Sequence, residues 1–148
     1  MLRILLIGRS GQLGWELQRC LAPLGEVVTY DYPEIDLAKP ASLPEFVRGV
    51  HPQVIVNAAA YTNVDKAESE AELARQINSV SPGVLAEEAR RLGAAFIHYS
   101  TDYVFDGCKG APYTESDALH PLNVYGQTKL EGEQAVQAAG GAYLILRT

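Results

Sequence analysis

Tyr125 and Lys129, in the run Tyr125-Gly126-Gln127-Thr128-Lys129, are the pair in this chain best spaced to do chemistry. Residues four apart on a helix share a face, so the spacing brings a phenol and an ammonium within reach of one reacting carbonyl. A hydride delivered to a ketone leaves charge on its oxygen, and a nearby acid must supply a proton. Free tyrosine, with a pKa near ~10, holds that proton too tightly near neutrality. A neighbouring ammonium favours the phenolate. The spacing therefore predicts a Tyr125 made more acidic by Lys129, which is also placed to hold a nicotinamide ribose. Thr101, or Ser100, in the run Ser100-Thr101-Asp102 supplies a hydroxyl to position the carbonyl oxygen. Asp102 reads either as a substrate contact or as the cap of a turn.

A Tyr-x-x-x-Lys means little alone; here it follows a glycine-rich turn. Gly8-Arg9-Ser10-Gly11-Gln12-Leu13-Gly14 is Gly-x-x-Gly-x-x-Gly between an apolar run and an amphipathic one. Glycine allows a tight turn and close backbone approach to a pyrophosphate, while the helix N-terminus offers unpaired N–H groups and a favourable dipole. Asp31 ends the second apolar run, where a carboxylate would meet the adenosine ribose hydroxyls and favour NAD. Arg9 pulls the other way, because a guanidinium in the turn could accept a 2′-phosphate. The choice between NADH and NADPH stays open. Asn57-Ala58-Ala59-Ala60 follows the third strand, and its small residues would let a flat cofactor lie across the strand ends.

The elements that must position these residues alternate between short apolar and longer amphipathic runs. Leu2 to Ile7, Glu26 to Tyr30, Val54 to Val56, Ala95 to Tyr99 and Ala142 to Leu146 read as buried strands. Gln12 to Leu21, Leu43 to Val50 and Leu122 to Ala139 read as helices. Glu70 to Leu92 is also helical, its core stripe running through Leu73, Ile77, Val80, Val84 and Leu85. Pro82 interrupts it and predicts a kink, or two helices with Ser81 capping the second. Gly107 to Pro121 is a loop. The alternation predicts an α/β fold, a doubly wound, Rossmann-like parallel sheet in three α/β/α layers.

The 148 residues suit one domain. The net charge of −6, with no basic block, argues against nucleic acid or an anionic membrane as partner. No apolar run nears the roughly 18 residues that span a bilayer, and the first apolar run is too short for a signal peptide. We expect a cytoplasmic protein with Cys20 and Cys108 as free thiols, one on a helix and one in a loop. His51, His98 and His120 share no ligand spacing, and His98, within a strand, is expected to be a satisfied core histidine. No Gly-x-Ser-x-Gly elbow marks a hydrolase.

These segments together resemble the extended short-chain dehydrogenase/reductases, and among them the reductases of 4-keto dTDP-sugars. The carrying runs are Gly8 to Leu17, Val56 to Glu68, Tyr99 to Gly107 and Pro121 to Glu133. The resemblance implies reduction of the 4-keto group of dTDP-4-dehydro-L-rhamnose to dTDP-L-rhamnose by NADPH or NADH. It implies Tyr125 as proton donor, Lys129 as its partner and ribose ligand, and Thr101 as the hydroxyl. Gly11, Gln12 and Leu13 would line the pyrophosphate turn. Asp31, Asp36, Leu37, Ala60, Tyr61, Thr62 and Asn78 would contact cofactor, and Thr101 and Asp102 substrate. Such proteins carry a smaller C-terminal substrate-binding lobe, which we expect to be absent from 1–148. The resemblance leaves room for a homodimer and for magnesium, and no residue pattern specifies either. An alternative is a non-catalytic NADP-binding regulatory subunit of the methionine adenosyltransferase type, for which Thr101, Tyr125 and Lys129 would be unnecessary.

Overall fold

The computed structural model describes residues 1–148. Strands β1 (Leu2–Ile7), β2 (Gly25–Tyr30), β3 (Val54–Asn57), β4 (Ala95–Ser100) and β5 (Tyr143–Arg147) form one sheet, in the order β2-β1-β3-β4-β5. All four pairings are parallel. The helices are α1 (Gln12–Leu21), α2 (Leu43–Val50), the short α3 (Val64–Ala67) and α4 (Ala71–Arg75), then α5 (Ser81–Leu92) and α6 (Val124–Ala139).

Successive side chains of a strand point to opposite faces, so β1 feeds two cores. Leu5 and Ile7 pack with Leu43 and Val47 of α2, Leu85 and Ala89 of α5 and Val136 of α6. Ile4 and Leu6 join Val56, against Leu17 and Leu21 of α1. The fold is the three-layer, doubly wound α/β arrangement that the apolar runs predict. The strand order reverses between β1 and β3, and ligands of such sheets bind at that crevice, beyond the C-terminal strand ends. Gly8 follows β1 there, its N–H bonded to the Tyr30 carbonyl, and Ala58 follows β3, bonded to Ile7.

Most boundaries fall within two residues of the expected ones. Helix α6 starts at Val124 rather than Leu122 because the Asn123 side chain caps it, accepting from the Gly126 N–H at 2.7 Å.

The stretch from Glu70 to Leu92 departs from expectation. Helix α4 runs into a π turn (Gln76–Val80) that continues directly as α5. Ser81 has helical dihedrals and caps nothing; its Oγ donates to the Leu37 carbonyl at 2.6 Å. Pro82 lies in the first turn of α5, directly after the π turn, so the helix passes through it without ending. The wider π turn also shifts the helix phase. Leu73 and Val80, expected on the core stripe, are exposed, while Ala74, Asn78 and Ser79 are buried.

Candidate active site

The glycine turn is built by steric necessity. Gly8 has φ +97°, and a Cβ there would come within 2.8 Å of the Ala59 nitrogen. A Cβ on Gly14 would overlap the Gly8 carbonyl oxygen. The backbone of α1 thus starts directly against the end of β1. Its first-turn N–H groups have no carbonyl within the helix to bind, and Gly11 at the N-cap offers no side-chain cap. The cradle fits a pyrophosphate, with N–H donors and the positive end of the helix dipole facing it.

Asp31 lies beside this turn. Its carboxylate accepts from the Ser10 N–H at 2.9 Å, from Ser10 Oγ, and from the Tyr32 N–H at 2.9 Å. Burial works to raise its pKa, but these hydrogen bonds and the Arg9 charge outweigh it and hold the carboxyl below its usual value. Arg9 is not a free solvated cation. Its Nη1 donates to the Thr29 carbonyl at 2.9 Å and its Nη2 pairs with Glu34 at 2.6 Å. Asp36 accepts from the Ala38 N–H and pairs with Lys39 at 3.2 Å. The Leu37 side chain is committed to the core, and its carbonyl accepts from the buried Ser81 hydroxyl.

On the other side of the crevice, Asn57 folds the chain back by accepting from the Ala59 N–H at 3.2 Å. Ala60 and Tyr61 are half-buried there and Thr62 is exposed. Asn78, in the π turn, braces this loop. Its Oδ1 accepts from the Tyr61 N–H at 2.8 Å, and its Nδ2 donates to the Tyr61 carbonyl at 3.0 Å and to Thr128 Oγ1 at 3.2 Å. The donors of this buried amide are spent within the protein. Through these bonds Asn78 fixes the position of Tyr61. The Tyr61 hydroxyl donates to Glu70 at 2.6 Å, a bond that pushes the phenol up to about 12.

Helix α6 carries Tyr125 and Lys129. Glu68 accepts from the Val124 N–H at 2.8 Å and, with the Asn123 cap, fixes where the helix begins. A Cβ on Gly126 would overlap the Tyr103 carbonyl, and one on Gly132 the Asn78 carbonyl. Both glycines let α6 lie directly on the turn after β4 and on the π turn. Tyr125 is half-buried, edge-on to Tyr103 at 5.4 Å. Burial pushes its phenol above the ordinary value, with the Thr101 hydroxyl pulling the other way. Lys129 is 2% exposed and donates to the Tyr99 carbonyl at 2.6 Å. Burial brings its ammonium down to about 8, with the Glu133 charge opposing. The expectation that Lys129 makes Tyr125 acidic is therefore not met by this arrangement. The ammonium is tied to a backbone carbonyl, and desolvation of the phenol dominates.

The two hydroxyls read as alternatives separate cleanly. Thr101 lies beside Tyr125, whereas Ser100 Oγ donates to Glu133 at 2.6 Å. Glu133 went unassigned in the sequence. Buried, it also accepts two bonds from Arg147, at 2.9 and 2.6 Å, and so ties α6 to the ends of β4 and β5. Its signal was the spacing Lys129-x-x-x-Glu133, one further helical turn on the same face. His98 corrects a second expectation. It is fully buried, and its Nδ1 pairs with Asn57 Nδ2 at 3.3 Å, but its Nε2 has no partner. Burial, then the Lys129 charge, hold it well below 6.5, so it is a neutral imidazole. Asp102, Tyr103, Phe105 and Tyr113 line a cavity of about 270 Å³ next to Thr101. No group of three or more His, Cys, Asp or Glu side chains is gathered to hold a metal ion, Cys20 and Cys108 are free and exposed, and no helix is long and apolar enough to cross a membrane.

The chain matches the family model described as RmlD substrate binding domain over residues 2–148, and it belongs to that family. It is 52% identical over 151 residues to a dTDP-4-dehydrorhamnose reductase of Escherichia coli (strain K12), covering 99% of this chain and 50% of that protein. It is 51% identical over 147 residues to the protein of that name from Burkholderia thailandensis, covering 99% and 49%. A solved dTDP-4-dehydrorhamnose reductase from Bacillus anthracis in complex with NADP superposes with a TM-score of 0.93 at 36% identity, covering 99% of this chain and 53% of that one. The chain thus spans about half the length of the curated relatives it matches.

Proposed function

We propose that this member of the RmlD substrate binding domain family is the cofactor-binding half of an NADPH- or NADH-dependent reductase, converting dTDP-4-dehydro-L-rhamnose to dTDP-L-rhamnose. One observation carries the reading. The Thr101 hydroxyl, the Tyr125 phenol and the buried Lys129 ammonium converge at the end of β4, in a sheet whose first helix opens on a glycine cradle.

The N–H groups at the start of α1 and the Asp31 carboxylate would hold the dinucleotide, with Ala60, Tyr61 and Thr62 along its other side. Bound, the cofactor supplies a hydride to the carbonyl carbon. Thr101 donates a hydrogen bond to the carbonyl oxygen as charge builds there, and Tyr125 gives that oxygen its proton. Lys129, one helical turn further along α6, would hold the nicotinamide ribose. The product gains one C–H and one O–H bond. Asp102 and the adjacent cavity are the natural sugar contacts. The reading carries with it a cytoplasmic location and a homodimer. Neither the site nor the relatives named above favour the regulatory-subunit alternative.

The test uses a protein in which this chain is followed by a C-terminal half of the length found in the relatives. Loss of dihydronicotinamide absorbance should require dTDP-4-dehydro-L-rhamnose, and Tyr125→Phe should slow it by about 10²- to 10⁴-fold. Tight cofactor binding with no turnover would refute the assignment.

A further inference from the structure

We propose that Glu34 sets the cofactor preference of this site, tilting it toward NADH by occupying the guanidinium of Arg9. The inference rests on the reading of the crevice as an NAD(P)H site.

An acidic residue at the end of the second strand of such a sheet marks where the adenosine ribose lies, and here that residue is Asp31. NADPH differs from NADH at this position alone, by a 2′-phosphate. Arg9 is the only Lys or Arg in Gly8 to Gly14 or in Asp31 to Asp36, so it is the cation a 2′-phosphate would seek. Its reach is fixed by two bonds. Nη1 is held by the Thr29 carbonyl on β2 at 2.9 Å, and Nη2 by Glu34 at 2.6 Å. The arginine backbone is pinned as well, its carbonyl accepting from Gln18 Nε2 at 3.1 Å.

Around the ribose position stand one cation and two carboxylates, Asp31 and Glu34, a formal sum of −1. A phosphomonoester brings a charge of roughly −1.5 to −2. It meets like charge, and must compete with Glu34 for the guanidinium edge. The ribose diol of NADH makes no such demand and gives Asp31 a donor. The next cation along the chain after Asp31, Lys39, is itself paired with Asp36. Neutralising Glu34 brings the local sum to zero and frees Nη2 for the phosphate. The Arg9 and Glu34 side chains are 38% and 44% exposed, so solvent screens the effect and the gain should be roughly five- to tenfold.

Fluorescence titration with NADPH and with NADH, on the parent chain, Glu34→Gln, Arg9→Gln and the double variant, tests this without turnover. The parent should bind NADH more tightly. Glu34→Gln should tighten NADPH about five- to tenfold, change NADH by less than about twofold, and lose the gain as salt is raised. The gain should vanish in the Arg9→Gln background. Equal tightening of both nucleotides by Glu34→Gln, or of neither, would overturn the inference and leave the reductase reading standing, as would a gain that persists without Arg9. Failure of the parent chain to bind either nucleotide would overturn both.

Discussion

Lys129 should make the stability of this chain rise with pH in a window where most proteins lose stability. Its ammonium is 2% exposed and its pKa falls from 10.5 to about 8 through burial. Between those values the unfolded chain holds a proton that the folded chain has released. Where the unfolded state binds more protons, stability increases with pH. The burial penalty is therefore fully present below pH 8 and is relieved as pH rises toward 10.5. At about 1.36 kcal/mol per pH unit the whole effect is roughly 3 kcal/mol, most of which should appear between pH 7 and pH 10. Lys129→Met keeps the volume and removes the charge. It also leaves the Tyr99 carbonyl without its donor, at a cost of about 1–3 kcal/mol that does not vary with pH. Urea unfolding of both proteins across this range isolates the lysine, because the other titrating groups cancel in the difference. The variant should lose roughly 2 to 3 kcal/mol relative to the parent between pH 7 and pH 10. A difference that stays flat would refute the reasoning and mean that the ammonium is solvated or fully compensated where it lies.

Three other outcomes follow from the same geometry. Glu133→Ala strands Ser100 Oγ and the Arg147 guanidinium, and should cost about 3–5 kcal/mol, seen as a fall of about 10 °C or more in melting temperature. Gly14→Ala forces a methyl into the Gly8 carbonyl and should weaken NADH binding by about tenfold or more in titration, with a smaller loss of stability. Asn78→Leu removes the brace on Tyr61; kcat of the proposed reaction should fall while urea unfolding reports a loss of about 1–3 kcal/mol, and Asn78→Asp should restore only the bond from the Tyr61 N–H.

Strands β1 to β5 and helices α1, α2 and α6 were legible in the sequence to within about two residues, because local periodicity and glycine or proline at the ends carry that information. The cradle was legible for the same reason, since the positive φ of Gly8 and the contact of Gly14 with the Gly8 carbonyl are local, although the approach of Ala59 to Gly8 is not. Tyr125 and Thr101 were legible as candidates at the ends of recognisable elements, and the fold places them side by side. What the chain alone could not reveal depends on residues far apart in sequence. The π turn is a response to packing, and it rotated Leu73 out of the core and Asn78 into it. Asn78 acquires its bracing role from Tyr61 and Thr128, Glu133 from Ser100 and Arg147, and Arg9 from Glu34. The direction of the Tyr125 shift was misjudged for a related reason. Spacing along a helix says that two groups share a face, but burial decides which charge survives there and which carbonyl the ammonium reaches. Local sequence set which groups were available and on which element they ride; only closure of the sheet, by bringing β4, the π turn and α6 together, set their partners and their protons.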